Sequence, residues 1–243
     1  MALRLDQLLV ERGFFPSREQ ARRAVMAGTV MVEGRRADKP GTAVPGAARL
    51  EVTLREPFVS RAGRKLAAAL DHFAIDPAGW ICLDVGASTG GFTDCLLQRK
   101  AARVYALDVG YGQLDQRLRQ DPRVVVMERV NARHLAAGAL PERCRLATVD
   151  VSFISLAKVV PPLVPQLTAA GLLLPLIKPQ FEAGRGAVGK GGILRDEALR
   201  QRVIGDCAVG LAGDQLELLG TFDSPVAGSG GNREAFALLR RRP

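Results

Sequence analysis

Trp80-Ile-Cys-Leu-Asp84-Val-Gly86-Ala-Ser88-Thr-Gly90-Gly91-Phe92 is the stretch whose reading decides the fold. Ile81–Val85 is a short apolar run that predicts a buried strand, and the glycines that follow break it before a helix that starts near Gly91. Gly86 and the Gly90–Gly91 pair let the chain turn sharply and let a ligand approach the backbone. The first free N–H groups of the helix can receive a polar ligand. A dinucleotide loop wants Gly-x-Gly-x-x-Gly, but Ser88 holds the middle position here, which weakens a nicotinamide reading. Asp108 ends the next predicted strand, 22 residues after Gly86. A carboxylate there can accept both ribose hydroxyls, so loop and acid together predict a nucleoside-containing cofactor.

The pattern continues outward from that loop. Strands are expected near Ile81–Val85, Val104–Asp108, Val124–Met127, Leu146–Val149, Leu172–Ile177, Leu216–Phe222 and Ala235–Leu239, with helices between most of them. Alternating strands and helices imply an α/β domain with a mostly parallel, Rossmann-like doubly wound sheet. Ligands of such sheets bind outside the carboxyl ends of the strands. Asp84, Asp108, Asp150 and Lys178 all fall at such ends. Lys178 closes the run Gly171-Leu-Leu-Leu-Pro-Leu-Ile and Asp150 closes Ala147-Thr-Val, so both are expected at the rim of a packed sheet rather than among solvated surface charges. With Lys65 and Glu234 they predict a lysine–acid centre that handles a proton. A lysine acts as a base near neutrality only when burial or a second cation lowers its pKa from about 10.4, and Lys65 can play that second cation to Lys178 while Asp150 orients it.

Two motifs compete with this reading. Gly86-Ala-Ser88-Thr-Gly90 fits the Gly-x-Ser-x-Gly nucleophile elbow, but a hydrolase needs a histidine late in the chain and His134 is the only one after Ser88. Gly184-Arg-Gly-Ala-Val-Gly189-Lys190-Gly191 is close to a phosphate loop, except that Gly191 replaces the hydroxyl that holds magnesium. It reads as a basic loop over the mouth of the site, where Arg185 and Lys190 can meet phosphates, or as a plain surface loop.

Residues 1–56 are expected to form a separate small α+β domain, and residues 57–243 the sheet domain. Leu3–Val10 has helical spacing, and Ser17-Arg-Glu-Gln20 is a capping box opening a second helix that runs to about Gly28. Thr29 to Arg36 reads as a strand, a Glu33–Gly34 turn and a basic return; Pro40, Gly41, Pro45 and Gly46 punctuate the end of the unit, and Arg49–Leu54 is a last strand. Glu56-Pro57-Phe58 is the expected linker, and a further helix is expected from Ser60 to about Ile75. The chain has 243 residues and a net charge of +9, and residues 1–65 alone hold thirteen Lys/Arg against seven Asp/Glu. That excess predicts a polyanionic partner, nucleic acid first. Arg4, Arg18, Arg22, Arg23, Arg35, Arg36, Arg61 and Arg64 are the candidate phosphate contacts. Four cysteines without Cys-x-x-Cys spacing read as buried free thiols, and with two histidines no metal site is expected. The lack of a signal-like start or an apolar run near ~20 residues points to a cytoplasmic protein with no membrane partner.

The chain resembles the TlyA (haemolysin A-like) ribosomal RNA methyltransferases, within the FtsJ-like 2′-O-methyltransferases. Arg4-Leu-Asp-Gln-Leu-Leu-Val, Ser17-Arg-Glu-Gln-Ala-Arg and Val32-Glu-Gly-Arg resemble the small alpha-L RNA-binding domain of a ribosomal small-subunit protein and of pseudouridine synthases. Ser60-Arg-Ala-Gly-Arg-Lys65-Leu, Leu83-Asp84-Val-Gly-Ala-Ser-Thr-Gly-Gly-Phe-Thr, Asp150-Val-Ser-Phe-Ile-Ser, Ile177-Lys178-Pro-Gln-Phe-Glu and Gly231-Asn-Arg-Glu234 match the family's remaining motifs in order. The resemblance implies a class I methyltransferase that uses S-adenosyl-L-methionine to methylate a cytidine ribose 2′-hydroxyl of ribosomal RNA or a ribosomal subunit, with the large-subunit site favoured by the short carboxyl terminus. It implies a catalytic set of Lys65, Asp150, Lys178 and Glu234, with Lys178 on the base side. It implies a cofactor lining of Asp84, Gly86, Ser88, Gly90, Gly91, Asp108 and Asn131. A monomer is expected. Two other readings stand beside it: a non-catalytic RNA-binding or ribosome-assembly factor on the same scaffold, and a membrane-active toxin, which the want of a signal, a span or a long amphipathic helix disfavours.

Overall fold

A computed structural model describes residues 2–52, 57–184, 189 and 192–243 of the chain. It divides into two compact units, residues 1–56 and 57–243. Arg185, Lys190 and Gly191 of the glycine-rich stretch, and Leu54 and Glu56 of the expected strand and linker, lie outside the described residues.

The first unit runs β1 (Ala2–Arg4), α1 (Leu5–Glu11), α2 (Arg18–Met26), β2 (Val30–Val32), β3 (Arg35–Arg36), β4 (Ala43–Pro45) and β5 (Leu50–Val52). Leu3 and Arg4 belong to a strand rather than to the expected helix, and Pro45 to its partner, because β1 pairs antiparallel with β4. An edge strand can carry a proline since its missing N–H has no ladder to serve. Ser17 caps α2 by accepting from the Gln20 N–H. Leu5, Leu8, Leu9, Ala21, Val25, Val30, Val44, Ala48 and Leu50 form the core.

The second unit runs α3 (Ala62–His72), β6 (Ile81–Val85), α4 (Gly91–Gln98), β7 (Arg103–Asp108), α5 (Gln116–Arg119), β8 (Val124–Glu128), β9 (Cys144–Val149), α6 (Leu156–Val159), β10 (Leu167–Ile177), α7 (Pro179–Glu182), α8 (Glu197–Leu211), β11 (Leu216–Asp223) and β12 (Ala235–Arg241). The sheet order is β11-β12-β10-β9-β6-β7-β8. The strands from β10 to β8 are parallel, while β12 lies antiparallel between β10 and β11. β10 starts five residues earlier than expected, and its pairing with β9 shifts register between Leu167 and Leu172. Ala170, at a positive φ of 57°, sits in that shift. Apolar side chains cover both faces of the sheet. Chain order reverses between β6 and β9, which opens a crevice at their carboxyl ends.

Candidate active site

That crevice holds a cavity of about 220 Å³ lined by Ser60, Ala62, Gly86, Ala87, Ser88, Thr89, Gly91, Phe92, Asp150, Ser152 and Lys178. Gly86 turns the chain at φ +83°, and a Cβ there would stand 2.3 Å from the Asp150 carbonyl oxygen, so the β6 loop lies directly on the chain leaving β9. Asp150 is held by its own N–H donating to the Val85 carbonyl at 2.8 Å. Gly91 lacks a Cβ for a different reason: one would press on Ser60 Oγ and Ala62 Cβ, where the start of α3 crosses the start of α4. Gly90 is buried at φ +96° against Leu114 and Leu118 and does not line the cavity.

Asp84 does not line the cavity either. It is completely buried beneath the loop, accepting from Thr93 Oγ1 at 2.7 Å and Thr148 Oγ1 at 3.3 Å. Burial drives its carboxyl up to about 7, against the two hydroxyl donors. Asp84, expected as a cofactor contact, thus braces the loop from beneath and is not among the residues lining the cavity. Asp108 closes β7, where Oδ2 accepts the Ser88 N–H and Oδ1 the Gly110 N–H, both at 2.7 Å. A carboxylate has about four acceptor sites, so two remain for ribose hydroxyls. Ser88 itself sits at φ +48°, with its hydroxyl donating to Gln113 Oε1 at 3.3 Å. Asn131 is exposed, and its side chain accepts from the Arg133 N–H to cap a 3-10 turn.

The four proposed catalytic groups form two lysine–carboxylate pairs. Lys65 on α3 and Glu234 at the foot of β12 are both buried and 2.6 Å apart. Lys178 Nζ lies 2.6 Å from Asp150 Oδ1 and donates to Ser152 Oγ at 2.9 Å. The lysine hydrogens serve Ser152 better than Asp150, since buried Oδ1 has no well-directed donor. Burial raises the Glu234 carboxyl above the usual range, with Lys65 pulling it down most, Lys178 also pulling it down and Asp150 pushing it up. Each pair is thus within electrostatic reach of the other.

A feature without a counterpart in the motif reading flanks the pairs. Phe153 is 90% exposed and held at φ +63°, with its ring centred 4.9 Å from that of Phe181. Glu182 fastens this loop by accepting from Ser155 Oγ at 2.7 Å and the Leu156 N–H at 2.8 Å. The sequence holds no signal for this exposure, since Phe153 lies between Ser152 and Ile154 and outside any periodic run.

Comparison with known proteins follows the same lines. Residues 58–241 match the family model for FtsJ-like methyltransferases and residues 3–50 that for the S4 domain. The chain belongs to the FtsJ-like methyltransferases. The "16S/23S rRNA (cytidine-2'-O)-methyltransferase TlyA" of Mycobacterium tuberculosis is 48% identical over 241 residues, 98% of this chain and 89% of that protein. "Hemolysin A" of Brachyspira hyodysenteriae is 40% identical over 236 residues, 97% of this chain and 98% of that protein. A solved Streptococcus thermophilus protein named as a hemolysin superposes with a TM-score of 0.76 at 40% identity, covering 99% of this chain and 89% of that one. The family is thereby the one that the motifs indicated, TlyA-like FtsJ methyltransferases.

In the S4 unit, Arg4, Arg18, Arg22, Arg23, Arg35 and Arg36 are all exposed. Arg18, Arg22 and Arg23 share a shallow groove with Glu19 and Met26 along α2, and Arg23 pairs with Glu19. Arg36 folds over Gly28 and reaches Asp38 at 3.3 Å. Arg61 and Arg64 are exposed at the start of α3 in the second unit. Cys82, Cys95 and Cys144 are buried free thiols as expected, while Cys207 is only half-buried. No described helix is long and apolar enough to cross a membrane.

Proposed function

We propose that this methyltransferase transfers a methyl group from S-adenosyl-L-methionine to the 2′-hydroxyl of a cytidine ribose in ribosomal RNA, with the S4 unit gripping the RNA. The observation that carries the reading is the meeting of Lys178–Asp150 and Lys65–Glu234 beside a glycine-turned cavity. The name of the relative at 48% identity supports the substrate. The donor set fits the cofactor: close backbone at Gly86–Thr89, the first turn of α4, and the Asp108 carboxylate for a ribose. When bound, S-adenosyl-L-methionine supplies a methyl carbon already activated by its sulfonium.

The remaining difficulty is the weakly acidic hydroxyl. Lys178 Nζ, in its neutral form, takes the hydroxyl proton as the oxygen bonds to the methyl carbon. Asp150 would hold the charge that Lys178 gains with the proton, while the backbone at Gly86–Thr89 and the Asp108 carboxylate would hold the sulfonium cofactor that gives up its methyl group and leaves as the neutral thioether. Lys65, paired with Glu234 at 2.6 Å, positions a second amine and carboxylate next to the Lys178–Asp150 pair. Phe153 offers an aromatic face at the mouth on which an unstacked base can rest while its ribose enters.

Lys178→Ala and Asp150→Ala should each abolish methylation of ribosomal RNA while RNA affinity stays near that of the parent. Mapping ribose methylation with and without the active gene would locate the nucleotide and the subunit. Parent-like activity in both variants would overturn the assignment. Loss of methylation in variants that still bind the cofactor by calorimetry would separate this reading from that of a non-catalytic scaffold.

A further inference from the structure

Asp6 is an acid in the most basic part of the chain, and its side chain has no exposed surface. Its carboxylate is gripped from two sides. Arg4, the last residue of β1, docks Nε on Oδ1 at 3.1 Å and Nη2 on Oδ2 at 3.2 Å. Arg18, the first residue of α2, donates from Nη2 to Oδ2 at 3.1 Å. The two arginine side chains are themselves 52% and 55% exposed. The Asp6 backbone is fixed too, its N–H donating to the Pro40 carbonyl at 2.9 Å. The carboxyl titrates below its ordinary range because the Arg4 hydrogen bonds favour its charged form, with Arg18 adding to this.

An exposed arginine normally samples many rotamers, and immobilising each on a ligand is entropically unfavourable. Here a buried anion has already fixed both. A guanidinium has five N–H groups; Arg4 spends two on Asp6 and Arg18 one, so most of their donors remain for another acceptor. Arg18 also forms one end of the α2 groove with Arg22 and Met26. We propose that Asp6 is a positioning residue of the RNA surface, holding Arg4 and Arg18 as a preset fork for phosphate oxygens of the sugar–phosphate backbone. This inference rests on the reading that the S4 unit grips RNA.

The alternative makes a prediction of opposite sign. If Asp6 acted on RNA only through its charge, neutralising it would raise the net charge from +9 to +10 and tighten binding. Positioning requires binding to weaken. The full-length protein is titrated with a ribosomal RNA fragment transcribed in vitro. Asp6→Asn should lower affinity about ten-fold, with the loss in methyl transfer falling on KM rather than kcat. In an Arg4→Gln/Arg18→Gln background, the same substitution should have almost no further effect. A loss of equal size in both backgrounds would mark Asp6 as merely structural and overturn the proposal, as would unchanged or tighter binding by Asp6→Asn. Should Asp6→Asn fail to fold, Arg4→Lys/Arg18→Lys keeps every charge but loses the fork: an affinity near that of the parent refutes the proposal, and a fall of similar size supports it. Failure of the underlying reading looks different, since Arg4→Gln/Arg18→Gln would then leave RNA affinity untouched.

Discussion

Gly86→Ala tests whether the glycine loop and Asp150, the proposed catalytic aspartate, are one mechanical unit. Gly86 is left-handed at φ +83°, a conformation that disfavours alanine by about 1–2 kcal/mol. Its new Cβ would lie 2.3 Å from the Asp150 carbonyl oxygen, where ordinary contact begins at 3.4 Å, so the Asp150 peptide must retreat by 1.1 Å. A peptide cannot swing aside as a side chain does, and overpacking of this kind typically adds about 1–3 kcal/mol. A misplacement of about 1 Å in a reacting group can lower a rate roughly 10²-fold. Gly79→Ala is the control, because Gly79 has φ +72° but open space around its missing Cβ. Urea unfolding should show a loss of about 1–2 kcal/mol in Gly79→Ala and roughly 2–5 kcal/mol in Gly86→Ala. Methyl incorporation into ribosomal RNA at saturating cofactor should be parent-like in the first and lowered roughly 100-fold in the second. Rates for the two variants within about three-fold of each other would refute the coupling, given how small a displacement that allows.

Three further outcomes follow from the site. Lys65→Met leaves Glu234 buried without its partner and should destabilise by about 3–5 kcal/mol, while Lys65→Met/Glu234→Gln should recover much of that in urea unfolding and none of the methylation. Phe153→Ala should leave stability within about 0.5 kcal/mol because the ring is 90% exposed, yet weaken productive RNA binding by about 1–3 kcal/mol, read as a raised KM. Asp84 has a folded pKa of about 7, above its ordinary 3.8, so its stabilising contribution is full below the ordinary value and is lost as pH rises through 7. Asp84→Asn, which can keep partners in Thr93 and Thr148, should gain on the parent by roughly 2–4 kcal/mol between pH 4 and pH 8; a stability difference that does not change with pH would remove the cause assigned to it.

The sheet was readable because its strands are short apolar runs bounded by glycine, proline and charged residues; the carboxyl ends near Val85, Asp108, Val149 and Ile177 then place the site by topology alone. Strand starts were less readable. The earlier start of β10, at Leu167 rather than Leu172, depends on the register shift around Ala170, which no periodicity encodes. Leu3 and Arg4 have helical spacing, but their backbone pairs with Val44 and Ala43 across the small unit, and such pairing has no local signature. Within the site, residue type revealed the four charged groups, yet not how they divide. The pairing of Lys65 with Glu234 rather than with Asp150 follows from the antiparallel insertion of β12. The position of Asp84 beneath the loop has no signature in the sequence, because the two threonines that hold it lie on other elements. Phe153 has no such signature either, since exposure cannot be read from a single aromatic letter.

The contact between Lys65 and Glu234 spans 169 positions of the chain and is made at the start of β12, which follows every other described strand in chain order. A polypeptide emerging from the ribosome can therefore lay down the glycine turn and the Lys178–Asp150 pair while the Lys65 amine of α3 still lacks its counter-ion. Until β12 slides between its two neighbours, that buried cation opposes closure of the domain. The two lysine–carboxylate pairs thus become complete at different points of the chain's synthesis, Lys65–Glu234 after Lys178–Asp150.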